Sequence, residues 1–393
     1  MLTTLKAIPA KVWLLVAAHC VTDLSQGSLL VALPYLKAKF ALSYAEVGLL
    51  VLIQNLTSSV SQPIFGYFSD KCPRPWLIPV GCLLSGIAML VSLLSPSYYL
   101  LHISTALCGL GIAAFHPEAA KLANRYSGAA KGKGVSLFVV GGNGGFALGS
   151  LFMAVLLSND ALPKAIYLIP FIAIFYPLYK LAVQVPVSDT HANASTSPLR
   201  HSLTWPLAAL LGVVLSRSTI SAGVTTFLPL YYISYLHGSE LYASSLLTVF
   251  LAAGAIGTLG GGILSDRYGS KRIMLWSILP ISLLLYLFKI TAGIEVFIIL
   301  ALTSALLSCA FSSTLVLAQQ MMPGNIAIAS GLTIGLSVGL GAMGVVALGK
   351  IADLWSMPVV FDVLAFLPLL GFLLTLYVTE PENKHSNYVT AKT

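Results

Sequence analysis

The sequence predicts an all-α integral membrane protein of twelve transmembrane helices arranged as two pseudo-symmetric six-helix bundles. Three observations carry that prediction. Charged residues are too few for a water-facing surface, apolar runs of membrane-spanning length recur along the chain, and one loop motif returns half a chain later.

Of 393 residues, 57% are hydrophobic and 9% are Asp, Glu, Lys or Arg, against roughly 25% charged in a soluble domain. A surface facing hydrocarbon needs apolar side chains instead of charge, so lipid surrounds most of this chain. The formal charge of +8 does not point to nucleic acid, because the basic residues sit in short gaps between apolar runs and not on one folded face. Cys20, Cys72, Cys82, Cys108 and Cys309 have no paired spacing, and they read as packing residues with no metal or disulfide role.

A bilayer core of ~30 Å takes about 20 helical residues. Runs of that size fall at 11–36, 45–68, 76–95, 98–120, 133–157, 163–184, 204–235, 241–265, 272–293, 295–321, 326–352 and 358–379. The first is too long and too polar for a cleaved signal sequence, so it is expected to remain as a membrane helix. With both termini cytoplasmic, fifteen Lys and Arg lie on the inner side (Lys6, Lys11, Lys71, Arg74, Lys121, Arg125, Lys131, Lys133, Lys180, Arg200, Arg267, Lys271, Arg272, Lys384 and Lys392). Five (Lys37, Lys39, Lys164, Lys289 and Lys350) lie outside, with Arg217 inside a span. Positive charge is retained on the cytoplasmic side, which selects this orientation.

The internal repeat is carried by Gly66-Tyr67-Phe68-Ser69-Asp70-Lys71 after span 2 and Gly262-Ile263-Leu264-Ser265-Asp266-Arg267 after span 8, 196 residues apart. A second echo pairs Gly134-Val135-Ser136-Leu137 with Gly331-Leu332-Thr333-Ile334. The expected division is an N-terminal bundle over 1–185, a polar cytoplasmic linker over 186–203, a C-terminal bundle over 204–380 and a cytoplasmic tail over 381–393.

At these loops the chain resembles the major facilitator superfamily, whose signature after spans 2 and 8 is G-x-x-x-D-[R/K]-x-G-[R/K]-[R/K]. The second copy matches through Gly262, Asp266, Arg267, Gly269, Lys271 and Arg272. The first keeps Gly66, Asp70, Lys71 and Arg74 but has Pro73 in place of the second glycine. Phe115-His116-Pro117-Glu118, Val140-Gly141-Gly142-Asn143, Ala318-Gln319, Met322-Pro323-Gly324, Gln62-Pro63 and Phe366-Leu367-Pro368-Leu369-Leu370-Gly371 are similar to the fosmidomycin-resistance branch of efflux transporters. Two departures stand out: Thr105 falls where many proton-driven members carry an arginine, and Ser150 where the antiporter glycine motif has a proline. The resemblance implies that Asp70, Asp266 and the basic residues around them act in gating.

Charge near the bilayer midplane costs at least ~2.5 to 3.5 kcal/mol, so the few ionisable residues inside spans are candidate function. Asp23 lies midway along span 1 with His19 one turn before it on the same face, a pair suited to proton exchange or, more blandly, to tying helices together. Arg217, in span 7, could grip an anion with two parallel hydrogen bonds or pair with Asp23. His116 and Glu118 flank Pro117 in span 4, as a proton or gating element or as a helix end in the headgroups. Asn143, Gln54, Asn55 and Gln319 offer uncharged contacts and are more often interhelical bonds than ligands. The glycines of spans 5, 8 and 11 suit either sliding bundles or static close packing.

Together these features point to a secondary active transporter working by alternating access, with its site near the midplane between two halves. No G-x-x-x-x-G-K-[S/T] nucleotide loop is present, so an ion gradient is the expected energy source; one charge falling through 100 mV yields ~2.3 kcal/mol, enough for about a fifty-fold solute gradient. Proton-coupled efflux of a small anionic drug or metabolite from a bacterial inner membrane, by a monomer without cofactor, is the expectation. Import of an organic anion would share these features. A membrane-embedded enzyme lacks a convergent nucleophile or carboxylate pair, and a passive channel is disfavoured by the paired gating motifs.

Overall fold

The computed structural model describes residues 9–71, 74–127, 131–159, 161–185, 205–321, 333 and 336–379. Among them are twelve α-helices: α1 (Ala10–Phe40), α2 (Tyr44–Lys71), α3 (Leu77–Leu94), α4 (Tyr98–Tyr126), α5 (Lys131–Ser158), α6 (Ile169–Val183), α7 (Trp205–Pro229), α8 (Glu240–Tyr268), α9 (Ser270–Ile290), α10 (Glu295–Met321), α11 (Leu336–Leu354) and α12 (Met357–Tyr377). Ten helices among the described residues are long and apolar enough to cross a membrane. The expected linker 186–203 and tail 381–393 lie outside the described residues.

Helix ends follow local chemistry. Before α2, Ser43 and Glu46 form a reciprocal capping box, the Ser43 amide donating to Glu46 Oε2 at 2.8 Å and the Glu46 amide to Ser43 Oγ at 3.2 Å. Ser97 caps α4 by accepting from the Leu100 amide at 3.2 Å. Helix α1 runs four residues past its expected end because its basic tail is held: Lys39 Nζ donates to the Leu93 carbonyl at the end of α3 at 3.0 Å, and Lys37 sits 4.3 Å from the Tyr44 ring centroid. The expected span 6 divides into a 3₁₀ turn (Lys164–Leu168) and α6. After Pro229, α7 continues as a π-helical segment, Leu230–Tyr235, since proline lacks the N–H that regular helix requires.

Helices α1 to α6 form one half and α7 to α12 the other, with corresponding pairs packed alike: α1 on α5 as α7 on α11, and α3 on α4 as α9 on α10. The halves meet along two crossed seams, α2 with α11 and α5 with α8. Hydrogen bonds join these seams at the end away from the paired loops. Asp353 accepts the Tyr44 and Ala45 amides at 2.7 and 2.9 Å. Ser150 and Thr248 share a 2.8 Å bond, and Ser158 donates to Glu240 at 3.0 Å. Toward the paired loops the same helix faces part: on α8, Leu259 and Ile263 lie on the face of Thr248 yet are 62% and 71% exposed, and on α5, Val139 and Asn143 share the face of Ala147 and are exposed. Among the described residues, the α5–α8 seam is therefore joined at one end and parted at the other.

Candidate functional site

Three ionisable groups of the N-terminal half gather where α1, α4 and α5 meet. His19 and Asp23, one turn apart on α1, are joined at 3.2 Å (Nε2 to Oδ2) and are only 7% and 9% exposed. His116 arrives from α4, 97 residues away, with its Nε2 3.0 Å from that of His19 and 3.4 Å from Asp23 Oδ1. Each ring is held from behind: His19 Nδ1 is 2.7 Å from the Phe138 carbonyl of α5, and His116 Nδ1 is 2.7 Å from the Ile112 carbonyl of its own helix. Phe138 also stacks on His19, with centroids 4.1 Å apart.

A close approach of α5 makes room for this arrangement. Gly142 faces the cluster directly; a Cβ there would stand 2.4 Å from His19 Nε2 and 2.8 Å from Asp23 Oδ2. Gly141, its neighbour, and Gly145, about one turn on, press on the α1 backbone at Val16 and Cys20. The α5 glycines thus pack directly on α1 inside one half. Donor atoms of His19, Asp23 and His116 all lie within 4.8 Å of one another, so these side chains could also gather round a metal ion. Cys20, Cys82, Cys108 and Cys309 are free thiols, three of them buried.

The other candidate residues lie apart from this cluster. Glu118 is buried and accepts the Arg74 amide at 2.7 Å, tying the first paired loop to α4. Arg217 forms no ion pair with Asp23; its guanidinium carbon lies 4.6 Å from the Phe311 ring centroid of α10, beside a tight recess lined by Val213, Ile220, Ile278 and Leu307. Asn143 is exposed on the parted face of α5. Of the second loop, Gly269 adopts φ 87°, a left-handed conformation that explains the glycine between Asp266 and Lys271. Lys271 Nζ donates to the Leu376 carbonyl at the end of α12 at 2.9 Å, and Arg267 lies over Tyr268. The side chains of Asp70, Lys71, Asp266 and Gln319 are outside the described residues. Sequence reasoning missed Asp353, although an acid in the last turn of its own helix opposes the helix dipole and so signals a partner elsewhere.

The Major Facilitator Superfamily profile matches residues 15–237 and again 209–392. The "Fosmidomycin resistance protein" of Escherichia coli (strain K12) is 32% identical over 379 residues, covering 94% of this chain and 92% of that protein. An uncharacterized MFS-type transporter of Bacillus subtilis (strain 168), YfnC, is 32% identical over 365 residues, covering 90% and 89%. Among solved structures, the nucleoside transporter NupG superposes with a TM-score of 0.72 at 15% identity, over 95% of this chain and 100% of that one. A bacterial homolog of the human lysosomal transporter Spinster superposes with a TM-score of 0.69 at 13% identity, over 94% of each chain. These last two speak for the fold alone.

Proposed function

We propose that this chain, which belongs to the Major Facilitator Superfamily, is a proton-coupled exporter of a small anionic compound. As a member of that family it is a multi-pass membrane transporter and not an enzyme. The finer reading rests on one observation: a carboxylate and two imidazoles converge among the membrane-spanning helices of the N-terminal half, where charge is costly and persists when it has work to do. Imidazole and carboxylate exchange protons near neutral pH, and the helix with the parted face, α5, packs on both helices that carry them.

In this reading the chain lies in a bacterial inner membrane with both termini in the cytoplasm and acts as a monomer. The conformer is the one open to the cytoplasm, and cargo occupies the gap between the halves. Protonation of the cluster from the opposite side accompanies the switch in which the seams close at the paired loops and open at Asp353, so Asp70, Lys71, Arg74, Asp266, Arg267 and Lys271 act as the inner gate. Export of a phosphonate is favoured by the resistance that the E. coli relative is named for.

The test is uptake of phosphonates and carboxylates, fosmidomycin among them, into proteoliposomes under an imposed pH gradient. The wild type should accumulate its cargo only with the gradient, and Asp23→Asn should bind cargo yet lose gradient-driven accumulation by on the order of tenfold or more, as expected when a buried charge-assisted bond is removed. Gradient-independent accumulation by the wild type would sink the proposal.

A further inference from the structure

We infer that the proton of this cluster is held between His19 and His116 as a shared Nε2–H···Nε2 bond, with Asp23 as a fixed counter-charge. The inference deepens the proton-coupled reading above and rests on it for its role in transport, but its geometry stands independently.

A backbone carbonyl can only accept, so the 2.7 Å contacts from Phe138 O and Ile112 O require a hydrogen on Nδ1 of both histidines. In a neutral imidazole that assignment leaves Nε2 as a bare lone pair. Two bare lone pairs would then face each other at 3.0 Å, with the Asp23 oxygens at 3.2 and 3.4 Å. Three acceptors at such spacing repel one another, and no donor stands among them. One added proton on the pair resolves the conflict: it converts the 3.0 Å contact into an N–H···N bond, and the resulting positive charge is balanced by the carboxylate. The occupied cluster is neutral overall, which is the cheapest state for a buried site.

The neighbours leave this pair to set its own charge. Cys20 of α1 and Cys82 of α3 are the other titratable groups near Asp23 among the described residues, and an ordinary thiol carries no charge at neutral pH. Cys108 of α4 meets Gln54 of α2. From α5 the cluster meets Phe138 and Gly142, neither of which titrates. Glu118 is engaged by the Arg74 amide and Arg217 of α7 lies over Phe311. Losing the shared proton leaves a net negative charge and facing lone pairs, a repulsion that acts between α1 and α4. Proton release and strain on the N-terminal half are in this way one event.

Nitrogen-15 NMR of histidine-labelled full-length protein in nanodiscs tests the inference directly, with His116→Gln used for assignment. The expected spectrum has protonated Nδ1 on both rings throughout, and a scalar coupling between the two Nε2 atoms that disappears in a single step as pH rises. His116→Gln should remove the coupling and leave a single His19 ring that titrates alone. A bare Nδ1 on either ring, or two rings titrating independently in the wild type, overturns it. So does a spectrum with both Nε2 unprotonated that changes on adding EDTA, which would assign a metal to the site. Failure of the transport reading looks different: the coupling is present, but accumulation ignores the pH gradient.

Discussion

The two halves share a scaffold and differ in what they place inside it. In the N-terminal half, α5 approaches α1 through Gly142, and the space that glycine leaves is filled by His19 and Asp23. In the C-terminal half, α11 approaches α7 through Gly344, and the residue met there is Thr219. The ionisable residue of α7, Arg217, stands half a turn away and turns toward Phe311 of α10. Both halves thus keep a close glycine crossing between these helices, and the ionisable cluster occupies only the N-terminal one.

The sharpest way to break that comparison is to fill both sockets. Gly142→Ala would place a Cβ 2.4 Å from His19 Nε2, and Gly344→Ala one 2.6 Å from Thr219 Oγ1. Overpacking costs typically ~1–3 kcal/mol at either site, so both variants should unfold at a lower temperature. Only Gly142→Ala should also lose gradient-driven transport, by about tenfold or more, because it displaces a proton-binding pair. Equal loss of coupling in both, measured in the same proteoliposomes, would show that crowding alone stops the machine.

A smaller effect is expected at Arg217. Arg217→Lys keeps the charge but gives up the planar face that lies over Phe311, an interaction worth about 0.5–2 kcal/mol. The expected outcome is a modest fall in thermal midpoint with the pH dependence of transport unchanged. A shifted pH profile would mean that the C-terminal half takes part in coupling after all.

How much of this was legible in the sequence depends on the range of the interaction. Helix number, the repeat and the His19/Asp23 pair are local or periodic features, and all could be read directly. The arrival of His116 could not, since its two partners lie 97 and 93 residues away and no periodicity links α4 to α1. Gly142 stood out only as one glycine in a stripe; which of those glycines faces the cluster depends on the rotation of α5. Arg217 was visible as a costly charge, but its partner required the packing of α10. The π-helical segment after Pro229 was hidden because proline and aromatic residues are as common in regular transmembrane helices.

The two seams joined at the end away from the paired loops are counterparts by the repeat but not in chemistry. At one, Asp353 of α11 caps the amino end of α2 with two amide bonds, joining a full charge to the positive pole of a helix. At the other, Ser158 of α5 reaches Glu240 in the first turn of α8 through a single exposed hydroxyl bond. Asp353→Asn keeps one acceptor and loses the charge, a change of ~1 kcal/mol, and Ser158→Ala removes a bond worth about 0.5 kcal/mol. The expected shift toward the conformer closed at the paired loops is about fivefold for the first and about twofold for the second. Spin-label distances between Asn143→Cys on α5 and Leu259→Cys on α8 report that ratio. Because the strain of opening concentrates where the bonds are strongest, an Asp353→Asn shift no larger than that of Ser158→Ala would mean that the outer end is held by packing around Gly48 and Gly349 and not by charge.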